Sequence, residues 1–238
     1  MKNRSGRTVL TVVAVALFAL SATAGAAAIP VDNPGFEDPV LADGDWDYSM
    51  DNQGWGYFDN DGYQGSWNVT TADYPGEAPE GKNVGWAEPA TGVPGGLAQV
   101  LTAPDAVLKA GMTYTLTVEV GNSLSYTSGG YKVQLLAGGT PHTPGDGSNY
   151  TGSVTGGTLL AEDNNLLTIA AGTFETSTVT YTYNPALHSH LLGEPLQIRL
   201  LALPGGDETE FDNVMLVPEP ATLALLGLGA LMLKRRRS

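Results

Sequence analysis

The feature that most restricts the fold is a hydrophobic period of two. In Met112-Thr-Tyr-Thr-Leu-Thr-Val-Glu-Val120, the residues Tyr114, Leu116, Val118 and Val120 alternate with threonine and glutamate. Successive side chains of an extended chain point to opposite faces, so this spacing gathers the apolar set on one face of a strand. Phe174 to Tyr183 repeats the pattern through Val179, Tyr181 and Tyr183, and Tyr131 to Leu136 and Leu196 to Leu203 supply two more strands. Shorter runs at 67–71, 84–87, 96–101, 158–161 and 211–217 bring the expectation to about nine strands, each bounded by Gly, Pro or Asn. No long stretch carries the 3.6-residue period of an amphipathic helix. The prediction is an all-β, antiparallel sandwich or barrel, with 38–64 and 138–157 as its long loops. The 31 glycines and 15 prolines among 238 residues supply the turns, and 42% apolar residues suffice for one core.

Both ends differ from this middle. Lys2, Arg4 and Arg7 precede an apolar run from Val9 to Leu20, and the small residues that follow include Ala26-Ala27-Ala28. That is the three-part pattern of a cleavable secretory signal peptide, assigned to residues 1–28. Its apolar run is shorter than the ~20 residues a spanning helix needs. At the other end, Val217-Pro218-Glu219-Pro220 leads into an apolar run at 221–233 and a basic tail at 234–237. The prolines stop a helix from starting earlier, and the basic tail stays on the cytoplasmic face of a membrane. By pattern alone this is a short C-terminal transmembrane helix, one that spans only with local thinning of the bilayer.

The V-P-E-P segment, the short glycine-containing apolar run and the terminal K-R-R-R resemble a PEP-CTERM protein-sorting signal over residues 217–238. The resemblance implies an exosortase-type processing enzyme as partner, acting near Pro218, Glu219 and Pro220. It also implies export, a transient anchor in the inner membrane, and release to the surface or matrix of a bacterium that makes exopolysaccharide. The remaining 29–216 is the expected folded domain.

Removing the seven basic residues of the two ends, and Glu219, leaves 4 basic against 24 acidic side chains in that domain, a net charge of −20. Such a field repels phosphate backbones and anionic lipids, which excludes nucleic acid as a partner and leaves membrane contact to the sorting helix alone. Cations are the natural counterparts, although acidity can equally serve solubility. With no cysteine in the chain, stability has to come from the core, and a structural Ca²⁺ suits the available carboxylates and carbonyls.

The domain also resembles galactose-binding-like β-jelly rolls, many of them carbohydrate-binding modules. The residues concerned are Asn33-Pro-Gly-Phe-Glu37, Gly54-Trp55, Gly96-Leu-Ala-Gln99, Ala110 to Leu116 and Phe211-Asp-Asn-Val-Met-Leu216. The resemblance implies that the first and last strands lie together, with Glu37 and Asp212 holding a structural Ca²⁺ and Asn33 as a further ligand. Trp46, Tyr48, Trp55, Tyr57 and Trp67 stand among Asp, Asn and Gly, a mixture able to stack on sugar rings and bond to hydroxyls, or to pack a loop against the sandwich. Trp86 reads as core.

Catalytic signatures are absent: there is no G-x-S-x-G, H-E-x-x-H, phosphate loop or dinucleotide fingerprint. Asp43-Gly-Asp45-Trp-Asp47 has the acidic spacing of an EF-hand start but lacks its later glycine and glutamate. His188-Ser-His190 follows Asn184-Pro185 and reads as a polar loop. The expectation is therefore no enzyme but an exported, exosortase-sorted surface or matrix protein whose jelly roll binds polysaccharide without catalysis. A Ca²⁺-stabilised structural or adhesive protein is the alternative, and a polysaccharide hydrolase or lyase is a third.

Overall fold

The alternating run around Leu116 forms the long strand β6 (Met112–Asn122), next to which the closing strand β11 (Thr209–Pro220) lies antiparallel. A computed structural model describes residues 27–48, 54–58, 63–141 and 154–220. The signal peptide up to residue 26, the turn Asp59-Asn60-Asp61-Gly62, the apolar run 221–233 and the basic tail 234–237 lie outside the described residues. Among those described, no helix is long and apolar enough to cross a membrane.

One sheet has six strands: β1 (Trp46–Asp47), β3 (Gln64–Asn68), β4 (Asn83–Ala87), β11, β6 and β9 (Thr173–Thr182), in that order. The other has five: β2 (Gly56–Phe58), β5 (Gly95–Val100), β10 (Leu196–Ala202), β7 (Tyr131–Ala137) and β8 (Thr158–Asn164). All the strand pairs are antiparallel, and the two sheets close on one core as a β-sandwich jelly roll. Leu116, Val118, Val120 and Phe211 face Leu97, Val133, Leu135, Ile198 and Leu200 across it, all fully buried. Burying each such side chain stabilises by about 1.5–3 kcal/mol. At one edge a buried carboxylate ties the sheets together: Asp163 of β8 accepts from Tyr131 Oη of β7 and from Ser177 Oγ of β9, both at 2.7 Å.

Three local expectations change. The loop 38–64 carries the short strands β1 and β2, whose partners β3 and β5 come from later in the chain. The strand expected at 67–71 sits at Gln64–Asn68 instead, because Asp73 Oδ2 takes the Thr70 amide at 3.2 Å and the Thr70 hydroxyl at 2.6 Å, turning the chain there. The His188 segment is not an irregular loop. Asn184 caps a short helix α1 (Pro185–His188) by accepting the Ala186 N–H, a 3₁₀ turn at Ser189–Leu191 follows, and His188 Nδ1 meets Tyr181 Oη at 2.7 Å.

The two ends of the domain meet on β11. Ile29 N–H donates to Leu216 O at 2.8 Å, and Val214 N–H donates to Pro34 O at 2.9 Å. The strand expected to finish at Val217 continues through Pro220.

Candidate active site

Strands β3 and β4 are buried on both faces, so the six-stranded sheet packs something on its outer side as well. That side carries a second apolar cluster, Trp67, Val69, Tyr74, Val84 and Trp86, covered by the 69–81 and 123–126 segments and by Tyr48. Register decides its composition. Trp67 lies opposite Val84, Trp86 lies opposite Glu210 of β11, and Glu210 lies opposite Gly121 of β6. Period two along Glu208-Thr-Glu-Phe-Asp212 sends Thr209 and Phe211 toward the core and both glutamates to this outer face. Gly121 makes room for the rings that lie over this face, since a Cβ there would stand 2.5 Å from Tyr74 Oη and 2.6 Å from the Phe174 ring.

Within this cluster lies a cavity of about 280 Å³, walled by Trp46, Tyr48, Trp67, Trp86 and Tyr126, with Asp73, Glu88, Ser125 and Glu208 as its polar lining. The rings brace each other edge to face: Tyr48 meets Trp86 at 5.3 Å and Trp46 at 5.9 Å, and Trp67 meets Tyr126 at 5.9 Å. The Trp86 indole N–H is buried with no acceptor among the described residues.

The carboxyls of this site have opposite characters. Glu208, 6% exposed, is pushed up from 4.5 to about 9, first by burial and then by the charges of Glu210, Glu88 and Asp207. Behind it Glu210 is fully buried and raised for the same first reason, and Tyr74 Oη donates to its Oε2 at 2.7 Å. Glu88 is also raised, by burial and by Asp207. Burial acts on Asp73 in the same direction, but hydrogen bonds from Ser125 and Thr70 outweigh it and hold Asp73 below its ordinary value. At neutral pH the cavity therefore offers a neutral acid at Glu208 and a fixed anion at Asp73, between aromatic walls. Such a pair can donate a proton and stabilise the cation that results.

Of the five aromatic residues singled out by sequence, Trp46, Tyr48 and Trp67 line this cavity, whereas Trp55 and Tyr57 do not. Trp55 is fully buried and stacks on Phe36 at 5.2 Å with its indole N–H on Asn33 O; Tyr57 is in the main core. Trp86, read as core, is buried but also forms a wall. Glu208, Glu210, Asp73, Glu88, Tyr74 and Tyr126 escaped the sequence reading. The one available signal was the row of acids at alternate positions in Glu208-Thr-Glu210-Phe-Asp212, where a strand of a two-sided sheet would ordinarily be apolar.

The expected metal residues lie beside this site, around the 80–83 segment. Asp212 is fully buried, accepts the Glu80 N–H at 2.8 Å and the Asn213 N–H at 2.6 Å, and is pushed up to about 8 by burial, with the Glu80 and Glu37 charges adding to it. A Cβ on Gly35 would stand 1.9 Å from Glu80 Oε2 and 3.6 Å from Asp212 Oδ1, so the two carboxylates close over that glycine. Glu37 Oε1 accepts the N–H groups of Lys82 and Asn83, each at 2.7 Å. The Asn33 side chain is engaged with the Asp38 backbone at 2.8 and 3.2 Å. Among the described residues no three His, Cys, Asp or Glu side chains form a ready metal-holding group.

Comparison with known proteins gives this geometry its context. Residues 27–217 match the HpiC1-like family, described as HpiC1 cyclase, and residues 216–238 match the PEP-CTERM protein-sorting motif. No curated protein matches the chain. A Stig cyclase, Fisc, from Fischerella sp. TAU, solved in complex with (3Z)-3-(1-methyl-2-pyrrolidinylidene)-3H-indole, is similar at 34% identity and a TM-score of 0.67, over 82% of this chain and 99% of that one. A cyclase from the same organism in complex with 4-(1H-indol-3-yl)butan-2-one gives 34% identity and 0.66 over the same shares, and an apo cyclase from Fischerella sp. gives 33% and 0.65 over 84% and 99%. These findings overturn the expectation of a non-catalytic polysaccharide-binding or adhesive protein. The jelly roll was read correctly, but aromatic rings beside acids do not by themselves tell a sugar platform from an enzyme pocket. The sorting motif marks the chain for export and exosortase processing. The chain belongs to the HpiC1-like cyclase family.

Proposed function

We propose that the chain is an exported cyclase that closes a ring on a small, flat aromatic substrate of the indole class by proton donation from Glu208. The observation that carries this reading is a carboxyl held neutral at pH 7 inside a cavity walled by three tryptophans. Its proton goes to an unsaturated carbon of the substrate. The cation so formed is stabilised by the ring faces and by anionic Asp73, a substrate ring carbon closes the new bond, and the proton lost from that carbon returns to the Glu208 carboxylate. The proton leaves and comes back, so the reaction is an isomerisation that regenerates the acid. The indole class is supported by the two Fischerella cyclases solved with indole compounds. Glu208→Gln should lower ring closure of alkenyl indoles by roughly 10²–10⁴-fold. Binding of 4-(1H-indol-3-yl)butan-2-one, followed by tryptophan fluorescence, should change little. Undiminished turnover in the variant would exclude Glu208 as the acid.

Ca²⁺ is the proposed structural ion, held between Asp212 and Glu80 with backbone oxygens and with Glu37 alongside. The buried Asp212 carboxylate and the exposed Glu80 carboxylate closing over one glycine, with no basic side chain among the described residues bonded to either, support it. Asp212→Ala should then lower the melting temperature only when Ca²⁺ is present. Equal melting of the unsubstituted protein with Ca²⁺ and with chelator speaks against the ion. Processing at Pro218, Glu219 and Pro220 and a transient inner-membrane anchor at 221–233 complete the proposal, and they place the mature enzyme at 29 to about 216–220.

A further inference from the structure

The sorting motif does not hang from the domain on a linker. Val217, Pro218, Glu219 and Pro220 are the last four residues of β11, paired with Thr115, Tyr114, Thr113 and Met112 of β6. The Pro-Glu-Pro order fits that place for a physical reason. Leu216 turns its C=O away from β6, toward Ile29, and in a strand the backbone groups of alternate residues point the same way. Pro218 and Pro220 share the parity of Leu216, so their missing N–H groups fall on the edge away from β6. Val217 and Glu219 have the opposite parity and carry the bonds to β6. Proline is tolerated in a sheet only where its nitrogen faces an open edge, and this spacing meets that condition twice. On the open edge, described chain reaches β11 only as far as Leu216, through Ile29.

We propose that the processing enzyme captures Pro218–Pro220 as an extended strand, by exchange: the end of β11 peels from β6, and the enzyme takes the place of β6 against Val217 and Glu219. This rests on the sorting reading above. Both Val217 and Glu219 are engaged in the folded domain, so an enzyme reading the backbone of the motif has to compete with Thr113 and Thr115. The prolines already block pairing on the other edge, leaving the β6 side as the one with free backbone donors once it opens. Recognition by strand addition uses main-chain bonds in this way, with side chains of alternate residues supplying specificity. Glu219, exposed on the outer face, is then the side chain presented between the two prolines.

The test is a cross-strand lock. Thr115 and Val217 are directly opposed, hydrogen-bonded pairs of this kind have Cα atoms about 5.5 Å apart, and that separation suits a disulfide. The chain has no cysteine of its own, so Thr115→Cys with Val217→Cys introduces a single possible bridge and leaves Pro218, Glu219 and Pro220 in place. The full-length chain is expressed in an exosortase-bearing host and its tail is followed by intact mass. Oxidised, the double variant should lose its tail at roughly a tenth of the wild-type rate or less, and reductant should restore the rate. A control bridge at the opposed pair Thr117 and Thr178, between β6 and β9, leaves β11 free and should be processed normally. Thr113→Pro, which deletes the N–H facing Glu219, should speed processing. Tail removal from the oxidised Thr115–Val217 variant at the wild-type rate overturns the proposal. An unprocessed wild-type chain in the same host would instead overturn the sorting reading beneath it.

Discussion

The acid at Glu208 carries a cost in stability that depends on pH. Its carboxyl titrates near 9 in the folded protein against 4.5 in an ordinary environment. Between those values the unfolded chain has released the proton while the folded one keeps it, so the folded state binds more protons and stability falls as pH rises. The contribution is intact below about 4.5 and declines progressively up to about 9. Each unit of separation corresponds to 1.36 kcal/mol, so by pH 7, about 2.5 units above the ordinary value, the folded state has lost roughly 3 kcal/mol relative to pH 4.5. Glutamine keeps the shape of the neutral acid and has no proton to release. Glu208→Gln should therefore match the wild type near pH 4.5 and exceed it by about 3 kcal/mol at pH 7, while losing activity. Asp212, also raised, is common to both proteins and cancels in the difference, whereas Glu210 titrates together with Glu208, so the difference reads the pair. Urea unfolding of both proteins at pH 4.5, 5.5, 6.5 and 7.5, at fixed salt, measures it. A stability difference that does not grow across that range would refute the assignment of Glu208 as a neutral buried acid.

Other substitutions probe the supports of the site. Gly121→Ala should cost about 1–3 kcal/mol, because its methyl group would meet Tyr74 Oη at 2.5 Å and displace the donor to Glu210; denaturation at equilibrium reads this, and an unperturbed midpoint would mean that Tyr74 is not held there. Tyr131→Phe removes one of the donors to buried Asp163, and an unfolding assay should register a loss of about 1–3 kcal/mol with the Glu208 cavity unaffected. With the acid loss and the Ca²⁺-dependent melting above, these separate chemistry, metal and packing.

The strands of the core were legible because each carries its own signal. Tyr114, Leu116, Val118 and Val120 at alternate positions leave one choice of buried face, and glycine or proline marks where each run stops. The same reading failed in 38–64, where β1 and β2 are two and three residues long and exist through partners far away in sequence. Aromatic residues were found but not sorted. Trp55 and Trp67 are alike in composition of surroundings, yet one stacks in the main core on Phe36 and the other walls the cavity, because Trp55 immediately precedes β2 of the five-stranded sheet while Trp67 belongs to β3 of the six-stranded one. The acids were harder still. Tyr74 and Glu210 are 136 residues apart, and nothing local to either foretells their bond.

By itself the sequence determined what is encoded in local periodicity and in linear motifs: an all-β antiparallel body, one core without disulfides, and an export and sorting program at its ends. Alternation and motif order are properties of neighbouring residues, so they survive without coordinates. The tertiary structure alone assembled the candidate site, because acidity at neutral pH is a property of surroundings. Glu208 can serve as the proposed proton donor only where the register of β11 against β4 and β6 buries it beside Glu210 and beneath rings drawn from β1, β3, β4 and the 123–126 segment.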